Sequence, residues 1–155
     1  MKPPLSDAEI EKLRQSGIRL DADGRFWHEG GEVTHHGLRA AFFRWLDRNP
    51  DGRWVLRLDE QRFVYLEVDD APFVVTSLRF AGPRVLLHLV DDSEEELDYA
   101  SLRIAPSGVA YAQVKGRFPA RLSRAAFTAL GERLLEREGG VFLETPSGLQ
   151  RLASA

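Results

Sequence analysis

The sequence contains no cysteine. That excludes disulfides and thiolate metal sites, so the 155-residue chain must fold on burial alone. Lysine is scarce too: Lys2, Lys12 and Lys115 are its lysines, and arginine carries nearly all the positive charge. Neither sign dominates, since 21 basic and 24 acidic residues leave a formal charge of -3. A broad nucleic-acid footprint needs a strongly basic balance, so no nucleic-acid partner is expected. No apolar run approaches the roughly 20 residues of a membrane span. Residues 1–12, MKPPLSDAEIEK, lack the apolar stretch of a secretory signal. The expectation is a cytoplasmic protein without a membrane partner. Also missing are G-x-S-x-G, the P-loop and a spaced histidine pair. Hydrolase, nucleotide-hydrolysis and preformed metal readings therefore lack a motif, and neither a cofactor nor a stoichiometric transition metal is expected.

What the chain does have is an unusual central stretch, residues 62–80, RFVYLEVDDAPFVVTSLRF. Phe63, Tyr65 and Glu67 alternate with Val64, Leu66 and Val68, which is strand periodicity. Asp69, Asp70 and Pro72 then break the pattern before apolar residues resume at Phe73. Pro72 cannot donate to a ladder and biases Ala71 towards extended backbone. The prediction is a strand, an acidic corner and a second strand.

The rest of the chain is punctuated clearly. Ser6 and Glu9 form a capping box, Leu5 and Ile10 are spaced for a hydrophobic staple, and Gly17 fits a left-handed helix cap. Asp23-Gly24 and Gly30-Gly31 are hairpin signals flanking Phe26, Trp27, His28 and Glu29. Residues 34–49 read as a helix with Leu38, Ala41, Phe42, Trp45 and Leu46 on its core face. Strands follow at 54–58, 63–68, 74–80 and 85–90, then an acidic stretch at 91–96 reads as a solvated loop. Further strands are expected at 99–104, 109–114 and 118–122. Ser123 caps a helix bearing Ala126, Phe127, Leu130 and Leu134, closed by Gly139-Gly140, and a hairpin surrounds residues 146–148. The order implies an α+β fold, mostly antiparallel sheet with three helices. The expected division is an N-terminal helix at 1–17 and two β-rich subdomains, 18–80 and 81–155. Each subdomain holds one helix, and the whole packs as one unit.

A repeat is written into this order. Arg39-Ala40-Ala41-Phe42 recurs 85 residues later as Arg124-Ala125-Ala126-Phe127, and Gly31 and Val33 meet Gly116 and Phe118 in the same register. Two related strand–helix–strand halves are expected.

Three segments carry a resemblance. Residues 26–31 (FWHEGG), 68–73 (VDDAPF) and 111–121 together resemble the bacterial domain-of-unknown-function family 1285, over a region from about Ile18 to the C-terminus. The resemblance implies an α+β architecture with two related halves, in a family without an established activity. The chain departs from the family pattern at Asp59-Glu60-Gln61, where a proline and lysine are expected. It departs again at Leu87-His88, where a threonine–asparagine pair would precede paired acids.

Candidate chemistry concentrates at few positions. Trp27 offers a flat contact, His28 a switchable hydrogen-bonding group, and Asp69 and Asp70 paired carboxylates. Arg121, with Lys115 and Arg117, supplies cations that fit either an anion or the acidic stretch. Pro72 and Phe73 hold the corner rigid. Adjacent carboxylates on a strand face opposite ways, so a catalytic dyad needs the corner to twist them together. Turn formation is the simpler role for Asp69 and Asp70, a helix start for His35 and His36, and a surface position for His88. The favoured reading is a non-enzymatic regulatory module that binds a small ligand or a protein partner beside the corner, with Trp27-His28 and Asp69-Asp70 together at one end of the N-terminal half. The alternatives are an enzyme using His28 with Asp69 or Asp70, and a structural protein that forms a homodimer through a sheet edge.

Overall fold

A computed structural model describes residues 6–154 of the chain. The staple expected of Leu5 and Ile10 lies outside the described residues. Two compact units divide the chain, Met1–Asp69 and Asp70–Ala155.

In the first unit, α1 (Asp7–Leu13) starts where Ser6 Oγ accepts the Glu9 amide at 3.2 Å and donates to Glu9 Oε1 at 3.0 Å. Arg14 closes it in right-handed backbone. Gly17 is therefore not a helix cap. Its φ of +68° falls inside β1 (Gln15–Leu20), at a break in the register with β6 (Phe63–Val68). There Gln15 faces Tyr65 while Ile18 faces Leu66, so β1 carries two extra residues as a bulge. Between these strands lie β2 (Phe26–His28), β3 (Gly31–Glu32), α2 (His36–Trp45), β4 (Leu46–Arg48) and β5 (Trp54–Arg57). The sheet order is β3-β2-β1-β6-β5-β4, antiparallel except for β1 beside β6.

Phe26 is fully buried at the centre of this unit, with the rings of Phe42 and Phe43 edge-on at 5.1 and 4.9 Å. Such pairs contribute about 0.5–1.5 kcal/mol each beyond the area they bury. The helix is shorter than residues 34–49. His35 caps it, Nδ1 accepting the Leu38 amide at 3.1 Å. Its end comes early because Leu46, 3% exposed, leaves to pair with Leu56 in β5. Leu38, expected on the core face, is 41% exposed, and Phe43 is buried instead.

The second unit contains β7 (Phe73–Ala81), β8 (Arg84–Leu89), β9 (Glu94–Glu96), β10 (Arg103–Ile104), β11 (Ala110–Val114), β12 (Phe118–Leu122), α3 (Arg124–Leu130), β13 (Leu134–Arg137), β14 (Gly140–Thr145), β15 (Gly148–Arg151) and β16 (Ala153–Ser154). One sheet runs β16-β10-β11-β12-β7-β8-β9, and β13-β14-β15 form a separate meander. The acidic stretch at 91–96 is not simply a loop, because Glu94, Glu95 and Glu96 form the edge strand beside β8. Their charges are met: Glu94 pairs with Arg79 at 2.7 Å, Glu96 with Arg84 at 3.3 Å, and Glu95 accepts the Lys115 amide. The units divide at Asp69/Asp70 rather than at 80/81, since β7 pairs with β12 and β8, both in the second unit.

Ser123 caps α3, its Oγ accepting the Ala126 amide at 3.1 Å and donating to the Thr76 carbonyl at 3.0 Å. Ala126 and Leu130 are buried, but Gly139-Gly140 joins β13 to β14 instead of closing the helix, Gly139 in the turn and Gly140 opening the strand. In each unit a helix leads into a three-stranded antiparallel meander, α2 into β4-β5-β6 and α3 into β13-β14-β15. The architecture is α+β.

Phe73 begins β7 at 1% exposure, its ring 5.3 Å from that of Phe118. Phe73→Ala should lower stability by about 3–5 kcal/mol, the usual cost of emptying a buried phenylalanine site. Urea unfolding checks this, and an unchanged midpoint would show that the corner does not rest on Phe73.

Candidate functional site

Strand register brings three chemically distinct side chains together in the first unit. Arg19 of β1 is paired with Trp27 of β2 on one side and with Glu67 of β6 on the other. Directly paired residues share a sheet face, so indole, guanidinium and carboxylate stand in one row. The β2–β3 hairpin turns through Glu29 (φ +51°) and Gly30 (φ +83°), flanked by the pair His28 and Gly31. Two consecutive positive φ angles define a type I′ turn, and the turn pair is Glu29-Gly30 rather than Gly30-Gly31. A glutamate in left-handed backbone costs about 1–2 kcal/mol, which glycine, asparagine or aspartate largely avoids.

Trp27 is held from behind by Asp21. Asp21 Oδ1 accepts the amides of Asp23 and Arg25, both at 2.9 Å, and Oδ2 accepts Trp27 Nε1–H at 2.8 Å. Burial works to raise the Asp21 pKa, but the bonds from Trp27 and the two amides, with the Arg25 charge, outweigh it and hold the carboxyl below its ordinary range. Arg19 lies 5.9 Å from the Trp27 ring centroid, and its Nη1 is 2.5 Å from Asp69 Oδ2. Arg19 thus pairs with Asp69. The exposed carboxylate of its register partner Glu67 has no hydrogen-bond or ion-pair partner among the described residues.

These residues border a cleft of about 350 Å³ lined by Gly17, Arg19, Trp27, Glu29, Gly30 and Glu67. A second hollow of about 340 Å³ shares Gly17 and Glu67 and continues towards Arg53, Trp54 and Tyr65. The left-handed Gly17 of the β1 bulge is common to both. His28 is exposed, its Nε2 3.9 Å from Glu29 Oε1.

The acidic corner splits its two carboxylates. The Asp69 amide donates to the Leu20 carbonyl at 3.0 Å, and its side chain meets Arg19, all within the first unit. Asp70 belongs to the second unit, where it accepts the Tyr111 hydroxyl at 2.9 Å and Arg121 Nη1 at 3.2 Å. Tyr111 is paired with Arg121 across the β11–β12 ladder and with Arg103 across β10–β11. Burial, and then the Asp70 carboxylate, push the Tyr111 hydroxyl pKa up. Ala71, Pro72 and Phe73 are buried behind the corner.

Of the residues singled out in the sequence, the structure joins Trp27 to Asp69 through Arg19, and Asp70 to Arg121. Lys115 goes to the acidic stretch, Nζ lying 2.9 Å from Asp91 Oδ2. Arg117 lies over the Phe118 ring at 4.2 Å. His88 Nε2 is 3.3 Å from Asp92 Oδ1. Among the described residues no three histidine, aspartate or glutamate side chains converge as a metal-binding group, and no helix is long and apolar enough to cross a membrane. Sequence reasoning missed Arg19, Asp21, Glu29, Glu67 and Tyr111. Arg19 and Glu67 did leave a signal, since each alternates with apolar neighbours as an outward strand residue does.

Because the Asp21 pKa is lowered on folding, its ionised form favours the fold at pH above its unfolded value, about 3.9. That contribution is lost as pH falls through the lower folded value. Asp21→Asn should therefore be less stable than the parent chain at neutral pH, the gap closing below about pH 4. Urea midpoints measured from pH 7 to pH 2 test this, and a gap constant across that range would contradict it.

The fold is similar to that of two crystal structures of DUF1285 family proteins. The protein from Silicibacter pomeroyi DSS-3 superposes with a TM-score of 0.76 at 20% identity, covering 89% of this chain and 80% of that one. The protein from Shewanella baltica OS155 gives a TM-score of 0.64 at 16% identity, covering 77% of this chain and 93% of that one. No family model matches the sequence, and no curated protein does. The chain resembles the DUF1285 family in the architecture of its fold, as its FWHEGG and VDDAPF segments imply.

Proposed function

We propose that this protein is a non-enzymatic, regulatory binding module that takes up a small ligand in the cleft between Trp27 and Glu67. One observation carries the reading. The cleft pairs a fixed indole with a carboxylate that has no hydrogen-bond or ion-pair partner among the described residues, and ligand sites are built from an apolar wall and a few convergent polar groups. The strain at Glu29 points the same way, because backbone held in an unfavourable region clusters at functional sites. A cytoplasmic setting belongs to the same proposal. So does descent from a duplicated unit, supported by the helix-plus-meander order found in both halves of the chain.

The enzyme reading draws no support from a dyad. His28 faces Glu29 at 3.9 Å, and Asp69 and Asp70 are engaged by Arg19 and by Tyr111 with Arg121. Dimerisation through the β9 edge is disfavoured by its three glutamates, since charged edge strands resist pairing with another chain.

The test is an NMR screen of the full chain against small-molecule fragments that span cations, anions and neutral compounds. Saturable shifts are expected to cluster at Gly17, Arg19, the Trp27 indole and Gly30. Shifts confined to another face would contradict the proposal. Glu29→Asn gives a second check, because asparagine tolerates the left-handed turn position. It should raise stability by about 1 kcal/mol while weakening the fragments that bind. A variant that is stabilised with binding intact would show that the strained turn serves no ligand.

A further inference from the structure

We infer that the cleft selects a small organic cation, an ammonium or guanidinium group carried on a short body that lies against Trp27. The inference rests on the binding reading above and adds the ligand's charge. Its first support is the charge balance of the walls. The Arg19 charge is met by Asp69 at 2.5 Å, which leaves Glu67 and Glu29 as the cleft-lining carboxylates without an arginine or lysine partner among the described residues. Glu29 has only His28 nearby, at 3.9 Å, and Glu67 has no ion-pair partner among the described residues.

The indole adds a second attraction of the same sign. Its face is electron-rich and draws cations, the attraction that aromatic cages use to recognise quaternary ammonium ligands. Arg19 already shows the preference, with its guanidinium 5.9 Å from the Trp27 centroid and a carboxylate on its other side. An anion would meet the opposite situation. It would share the already neutralised Arg19 with Asp69 while approaching the carboxylates of Glu67 and Glu29. A bare metal ion gains no such support, because among the described residues no three histidine, aspartate or glutamate side chains come together as a metal-binding group. The volume, about 350 Å³, is at the lower end of small-molecule sites, which suits a small ligand rather than an extended one.

The experiment titrates the intact protein at fixed ionic strength and follows the Trp27 indole N–H resonance. Methylguanidinium and tetramethylammonium chlorides are the cationic probes, and sodium acetate and phosphate the anionic ones. An acetylated arginine amide tests whether the same group is accepted as a peptide side chain rather than as a free molecule. The expected result is a saturable shift with the cations and none with the anions. Glu67→Gln, at an exposed strand position, should keep the parent melting temperature and weaken cation binding about tenfold, the scale of one lost charge-assisted contact. Anions that shift the resonance while cations do not would overturn the charge assignment and leave the binding reading standing. Cation binding undiminished in Glu67→Gln would also overturn it. No saturable shift with any probe would overturn both.

Discussion

Two like charges on adjacent residues of a bend repel, and relieving the repulsion needs a cation for each. Asp69 and Asp70 meet that need on either side of the corner, Asp69 with Arg19 and Asp70 with Arg121 and Tyr111. The strands that enter and leave the corner are interior strands of their own sheets. β6 runs parallel to β1 up to the Leu20–Val68 pair, and β7 runs parallel to β12 from the Phe73–Ala120 pair. The corner is thus where one sheet stops and the other starts. Pro72 suits it because a residue there has no ladder partner to satisfy.

The corner reaches the cleft through Arg19. A guanidinium between two carboxylates two residues apart on β6 and beyond could pair with either. It takes Asp69, whose amide is already tied to the Leu20 carbonyl. That choice leaves Glu67, across Arg19 from Trp27, without an ion-pair partner among the described residues and gives the cleft its charge. Exposed ion pairs contribute little to stability, so what the Arg19–Asp69 pair sets is the electrostatics of the site rather than the strength of the fold. Trp27, for its part, is placed by Asp21, which organises the preceding turn with the same carboxylate that receives the indole N–H.

Much of this was legible in the sequence wherever a single residue type has a local cause. Ser6 and Ser123 cap their helices through bonds to amides three residues on, and the corner at residues 69–72 stands where the strand pattern breaks, although its partners Arg19, Tyr111 and Arg121 are distant in sequence. Phe26 and Trp27 were recognisable as a strand beside a glycine turn. Register was not legible. Gly17 has the φ of a helix cap, yet it serves a bulge that exists only because β1 pairs with β6 about fifty residues away. Leu46 fits a helical stripe, yet its burial against β5 draws it into a strand. The glutamates at 94–96 look like a solvated loop until Arg79, Arg84 and Lys115 are brought beside them. The row of Trp27, Arg19 and Glu67 joins a local hairpin pairing to the long-range pairing of β1 with β6, which is why the candidate site surfaced only through its tryptophan.

The central claim is that ligand recognition belongs to the Trp27–Glu67 cleft and that the corner carboxylates do not themselves bind the ligand. A crystal structure of the protein grown with methylguanidinium tests it most directly. The account predicts planar density against the Trp27 ring, within hydrogen-bonding distance of Glu67, with Asp70 still bonded to Tyr111 and Arg121. Density at Asp70 with that carboxylate withdrawn from its partners, and none in the cleft, would contradict it.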